Sequence, residues 1–260
     1  MRFRDIERIT KFITDNIAYD LTLKDIAKHM NYSEFHLSRE FKKQTGYSIR
    51  QYIEALKVEK GIKALIASDE AVTDIAFDTG HKSPGTFSNT FKKHTGLSPH
   101  HYRSRANIAY RFLTRWIKKR SILTHYERFE KTDNKLTIKI RYPKGYRPKI
   151  TCVGLFPTSI PKDAPIVGVA TASRLEFTME NIPDGRYYLL ACEVLEDLTL
   201  IKSYVLDHNY RAKFPEKLTF SGSTELTHLL EMRRPIESDP PITMNLPVLL
   251  MNSFYKKHNL

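Results

Sequence analysis

The sequence predicts a multi-domain α plus β protein: an all-α module with two helix-turn-helix units, followed by a mainly antiparallel β-sandwich. Three observations predict it. Apolar residues recur every three or four positions through the first 120 of 260 residues. One segment of that region repeats about 50 positions later. Beyond residue 136 the chain turns to short β-branched and aromatic runs cut by Pro, Gly, Asp and Asn. The expected boundaries are 1–106 for the helical module, 107–135 for a helix and linker, and 136–260 for the sandwich.

In chain order, Ile6, Ile9, Ile13 and Ile17 form an amphipathic stripe, and "TLKDIAKHM" sets Leu23, Ile26, Ala27 and Met30 on one face. "IRQYIEALKVEKGIKALIA" predicts a long helix with Ile49, Ile53, Leu56, Ile62, Leu65 and Ile66 on or near its buried side. "NIAYRFLTRWIKKR" predicts another, with Ile108, Phe112, Trp116 and Ile117 among Arg and Lys. The runs "KITCVGLF", "PIVGVATA", "RLEFTMEN", "RYYLLACEV", "KLTFSGS" and "ELTHLLEM" read as strands. "DLTLIKSYVLDHNY" admits a short helix. Pro240-Pro241 introduces an extended tail, "ITMNLPVLLMN", too apolar to stay in solvent.

The repeat sets Asp25, Ile26 and Ala27 on Asp74, Ile75 and Ala76. After one inserted residue near Lys82 it sets Ser33, Ser38, Phe41, Lys42, Lys43, Thr45, Gly46, Ser48 and Tyr52 on Ser83, Ser88, Phe91, Lys92, Lys93, Thr95, Gly96, Ser98 and Tyr102. Each copy reads as a short helix, a turn ending at Ser33 or Ser83, and a second helix. That second helix keeps one apolar face, Leu37 and Phe41 or Phe87 and Phe91, and one polar, basic face. Ser33 and Ser83 are good N-caps. Pro84 then falls at the first helical position, where its missing N–H costs nothing, so Pro84-Gly85 begins the helix rather than breaking it.

Charge says which partner such a unit meets. Residues 1–120 carry 23 Lys/Arg against 13 Asp/Glu, a net of +10, whereas 121–260 carry 19 against 16, a net of +3. The helical module is therefore the part that attracts a polyanion. In a helix-turn-helix pair the second helix enters the DNA major groove by its N-terminal half, and cations near its far end meet phosphate. Two such units on one long helix present two reading helices to successive turns of one duplex face.

The duplicated pattern, closing in "FKKHTGLSPHHYR", resembles the DNA-binding module of the AraC/XylS transcription regulators over residues 5–105. The resemblance implies a bacterial, cytoplasmic, sequence-specific regulator with double-stranded DNA and RNA polymerase as partners. It puts base contacts at Phe35, His36, Ser38 and Arg39 in the first unit and at Pro84, Gly85, Thr86 and Asn89 in the second. Lys42, Lys43, Lys82, Ser83, Lys92 and Lys93 are expected at phosphates. A guanidinium at Arg39 reaches guanine O6 and N7 in bidentate fashion, and Asn89 suits adenine. Two positions depart from the family: Asn89 stands where Arg is frequent, and His81 where Phe is usual. His81 is expected to be a neutral, hydrogen-bonded core histidine. The alternatives are a non-specific architectural DNA binder and a ligand-sensing scaffold whose basic half is incidental.

The second half shows no phosphate loop and no nucleophile elbow, and His94, His100 and His101 of the helical module show no metal-ligand spacing, so neither an enzyme nor a metal or cofactor is expected. The N-terminus does not read as a secretory signal, and no apolar run is long enough to cross a bilayer. Cys152 and Cys192 lie inward in strands and read as small buried apolar groups. "ITCVGLFPTSIPKDAPIVGVAT" and "RLEFTMENIPDGRYYLLACEV" resemble the prealbumin-like sandwiches of carboxypeptidase regulatory regions. That resemblance implies a non-catalytic module, for a small-molecule effector or for protein contact.

Overall fold

The computed structural model describes residues 3–19, 21–119, 122–127, 131–172, 174–194 and 199–258. The first half is helical: α1 (Phe3–Asp15), α2 (Leu23–Met30), α3 (Glu34–Thr45), α4 (Ile49–Ala67), α5 (Val72–Asp78), α6 (Pro84–Thr95) and α7 (Pro99–Trp116). The residues shared by the two repeats explain why each copy folds alike. Ser33 accepts from His36 N and Ser83 from Thr86 N, starting α3 and α6. Gly46 (φ 85°) and Gly96 (φ 76°) end them in the left-handed conformation, which a side chain would strain. Thr45 Oγ1 donates to Phe41 O at 2.8 Å and Thr95 Oγ1 to Phe91 O at 2.9 Å, and each accepts from the N–H two positions on. Ser48 and Ser98 cap the helices that follow.

Long helix α4 serves both units. Its first half packs Ile49, Tyr52 and Ala55 with Ile6, Ile9, Ile13, Ile26, Leu37 and Phe41. Its second half packs Val58, Ile62 and Leu65 with Ile75, Ala76, Phe87, Phe91 and Tyr102. Every one of these side chains is nearly closed to water, so burial of each Val, Ile, Leu or Phe among them stabilises the fold by about 1.5–3 kcal/mol before entropy is counted.

The second half is β-rich. It contains β1 (Ile122–Tyr126), β2 (Lys135–Arg141), β3 (Ile150–Phe156), β4 (Val167–Thr171), β5 (Glu176–Met179), β6 (Gly185–Val194), β7 (Arg211–Phe220) and β8 (Glu225–Glu231), with α8 (Leu200–Tyr204) and α9 (Leu246–His258). One sheet has the order β1-β4-β3-β6-β7, antiparallel throughout; the other has the order β5-β2-β8. One face of the first sheet meets the second over Leu136, Ile138, Val153, Leu155, Leu189 and Phe220. Its opposite face, with Cys152, Ala170, Leu190 and Cys192, is covered by Leu113 and Trp116 of α7 and by Leu246 and Leu250 of α9. Strand β3 is buried on both faces along its whole length, which is why its sequence, apolar but for Thr151, shows no alternation of apolar and exposed polar residues. Cys152 and Cys192 face each other in register across β3 and β6 as free thiols, and burial pushes Cys192 up to about 12.

The structure corrects several expectations. Helix α7 starts at Pro99 and runs unbroken to Trp116, so the helix expected from 107 is continuous with the helical module and the boundary at 106 falls inside it. Ile108, expected among the apolar residues of that helix, is 59% exposed. Strand β1 lies inside the expected 107–135 helix and linker, paired with β4. Strand β2 pairs in parallel with β8 while the other described strand pairs are antiparallel, in keeping with the mainly antiparallel expectation. The apolar tail is no extended segment: Asn245 Oδ1 accepts from Val248 N, and α9 follows. Among the described residues, no helix is long and apolar enough to cross a membrane.

Candidate nucleic-acid interface

Helices α3 and α6 each bury one stripe and bare the other. On α3, Leu37 and Phe41 are fully buried, while Phe35 is 75% exposed and Arg39 beside it is exposed as well. His36 and Ser38 are half-buried on the same helix. The Arg39 guanidinium lies 5.6 Å from the centre of the Phe35 ring, and its Nε donates to Glu40 Oε1 at 3.2 Å. The two contacts hold the guanidinium on the helix surface. An exposed pair of this kind contributes little stability, about 0–1 kcal/mol, and exchanges readily for a better acceptor.

On α6, Phe87 and Phe91 are buried, and Gly85, Thr86 and Asn89 are exposed. Pro84 is the first residue of α6 and half-buried. Ser83 Oγ holds both Thr86 N and Thr86 Oγ1, so the cap and the first polar side chain of the exposed face are one unit. A Cβ built on Gly85 meets only Ser83 Oγ, at 3.9 Å, so the backbone here is open to close approach. His81 sits below: Thr79 Oγ1 lies 2.9 Å from its Nδ1, its ring packs edge-on to Phe87, and burial pushes it down to about 4.

The expected phosphate ligands divide. Lys42, Lys43, Lys82 and Lys92 are exposed and Ser83 is half-buried at its cap. Lys93 is drawn aside: its Nζ bonds Glu54 Oε1 of α4 at 3.0 Å. The same carboxylate bonds Nε2 of buried His94 at 2.9 Å, and these two partners hold Glu54 down at about 2, with His94 the larger cause.

Sequence reasoning missed the second half's hold on both α3 and α6. The β3–β4 loop closes their C-terminal ends: Ser159 Oγ donates to Gly46 O at 2.8 Å, and Asp163 N donates to His94 O at 2.6 Å. Ile160 enters the core of the first unit. Lys213 Nζ of β7 donates to Thr45 O at 2.8 Å. The segment before α9 adds Ser238 O as acceptor for Tyr47 Oη, Glu237 O as acceptor for Tyr52 Oη, and Thr243 Oγ1 beside His94 Nδ1. These contacts lie at the far ends of α3 and α6, at the start of α4 and in the first unit's core, and the exposed residues Phe35, Arg39, Gly85, Thr86 and Asn89 of α3 and α6 are not among their partners. "FPTSIPKD" carries no local signal of this role, because its partners are more than 60 positions away in sequence.

Comparison with known proteins bears on the helical half. A family model described as a helix-turn-helix domain matches residues 26–105. The chain is 37% identical over 98 residues to the multiple antibiotic resistance protein MarA of Escherichia coli (strain K12), covering 38% of this chain and 77% of that protein. It is 33% identical over 104 residues to the lactose operon transcription activator of Staphylococcus xylosus, covering 40% of this chain and 37% of that one. Among solved structures, the C-terminal domain of AraT, a response regulator from Geobacillus stearothermophilus, aligns at 31% identity with a TM-score of 0.38, over 38% of this chain and 84% of that one. With two capped helix pairs on one bridging helix and a MarA relative spanned over most of its length, the chain belongs to the AraC/XylS family, through a helix-turn-helix DNA-binding domain in its N-terminal half.

Proposed function

We propose that the protein is a sequence-specific, DNA-binding regulator of transcription that reads one face of a duplex with both units of a single chain. The observation that carries this reading is the pair of bared N-terminal halves on α3 and α6, fixed to one helix, α4. Two such helices suit major-groove segments about 34 Å apart, one helical turn. Phe35, His36, Ser38 and Arg39 read bases in the first unit. Thr86 and Asn89 read in the second, where Pro84 and Gly85 bring backbone close in place of side-chain information. Lys42, Lys43, Lys82, Ser83 and Lys92 meet phosphates. RNA polymerase is the further partner and the cytoplasm the compartment that this reading takes.

The second half, two facing sheets that suit the sandwich reading of residues 136–260, is the sensing part. What supports this is a cavity of about 70 Å³ between the five-stranded sheet and α9, lined by Cys152, Ala170, Leu190, Ile242, Met244 and Leu250 among others. Its walls are mostly apolar, with Arg211, Lys213 and Asp239 among them, and a space of this size takes only a small apolar group of a few heavy atoms.

A mobility-shift titration of the full chain against a selected duplex and against competitor DNA tests the reading. Arg39→Ala is expected to cost about 1–3 kcal/mol of discrimination at one base pair. Equal binding to every duplex, by the wild type and by the variant, would falsify specific readout and leave a non-specific binder.

A further inference from the structure

The bared faces of α3 and α6 run out into one shared cleft. Phe35, Arg39 and Lys42 follow one another at spacings of four and three, and Thr86, Asn89 and Lys93 at three and four, so each lysine ends a reading stripe. Lys42 of α3 and Lys93 of α6 both line a cleft of about 270 Å³. Its remaining walls come from the start of α4 and from the second half, through Ser159, Lys162, Tyr188 and Lys217.

Charge in the cleft is one-sided. Lys42, Lys93, Lys162 and Lys217 line it, and among the described lining residues the acid is Glu54, already bonded by Lys93 and His94. The second half as a whole carries a net charge of only +3, so its cations at this seam are not the by-product of a basic surface. They are also held in place. Lys217 Nζ stands 4.7 Å from the centre of the Tyr188 ring, and Lys213, anchored to Thr45 O, stands over the same ring at 5.5 Å. Lys162 lies between Ser159 and Asp163, whose hydrogen bonds tie the loop to both reading helices.

We infer that the second half is part of the DNA interface: Lys162 and Lys217, together with Lys42, hold the phosphate backbone that passes between the two major-groove segments read by α3 and α6. The inference rests on the DNA-reading role proposed above. A ridge of phosphates between two occupied major grooves is the polyanion this cleft would meet. These contacts give affinity and register without sequence information.

The test is a salt titration of duplex binding by full-length wild type, Lys162→Gln with Lys217→Gln, Lys162→Arg with Lys217→Arg, and Arg39→Ala. Each phosphate contact contributes about 0.9 to the slope of log K against log salt. The Gln pair is expected to flatten that slope by about 2 and to weaken the selected and competitor duplexes by the same factor. The Arg pair is expected to keep the wild-type slope, and Arg39→Ala to lose base preference instead. An unchanged slope in the Gln pair, with base preference still lost in Arg39→Ala, overturns this inference and leaves the DNA-reading role standing. The same holds if the Gln pair loses only binding of inorganic phosphate, which makes the cleft a small-anion site. No base preference in any variant or the wild type overturns the role itself.

Discussion

At position 81 the protein keeps a histidine against Phe87, bonded to Thr79 and half-buried. Burial, then the nearby Lys57 cation, lowers it from 6.5 to about 4. A lowered histidine is neutral in the fold while the unfolded chain takes up a proton below pH 6.5. Stability is therefore unaffected above that pH and falls as pH drops from 6.5 toward 4. His81→Phe keeps the ring contact and removes the titration. In urea denaturation the variant is expected to lose less stability than wild type between pH 7 and pH 5, by on the order of 1 kcal/mol once partial solvent screening is allowed for. An identical loss in both would place the acid sensitivity elsewhere. At this scale much was legible. Ser33 and Ser83 are caps and Pro84 opens its helix, because capping is decided within four residues. Lys93 was not legible, because its partner Glu54 lies 39 positions away.

Helix α4 carries a glycine at its waist, where helix propensity alone favours alanine by about 1 kcal/mol. The reason is proximity: a Cβ on Gly61 would stand 2.8 Å from Cε2 of Phe87. That ring is fully buried and has nowhere to retreat, and overpacking of this kind costs about 1–3 kcal/mol. Gly61→Ala is expected to destabilise by about 1 kcal/mol net, read as a lower Tm. A higher Tm would show that α4 and α6 can separate. Elements with a clear period were legible, among them the stripes of α1 and α2. Strand β2 also alternates cleanly, Leu136, Ile138 and Ile140 inward against Lys135, Lys139 and Arg141 outward. It adjoins a polar stretch that reads as linker, and a single strand does not announce its partners. Helix α9 was hidden for a different reason. Much of its surface is covered, by the sheet and by α7, so its sequence has little of the polar face that marks a helix.

The whole molecule is not two beads on a string. Helix α7 lies in the core of the second helix-turn-helix unit through Tyr102 and Ala106 and under the five-stranded sheet through Leu113 and Trp116. A small apolar ligand in the cavity beneath α9 would therefore stabilise both halves, by about 2.7 kcal/mol at a hundred times its Kd. Helical circular dichroism and the fluorescence of Trp116, the chain's one tryptophan, are expected to report a single melting transition that shifts as one on ligand addition. Two transitions, with only one shifting, would show that occupancy of the cavity is not felt by the reading helices. The order of manufacture adds a last point. Strand β2 has its parallel partner β8 fully 90 positions downstream, Lys135 against Glu225. At roughly 5–20 residues per second of synthesis, β2 waits on the order of 5–18 s for that partner. Helical modules rich in local contacts fold in microseconds to milliseconds. On the ribosome the helices of the first half thus form while the second half, which later supplies Ile160 to their core, is still an open sheet edge.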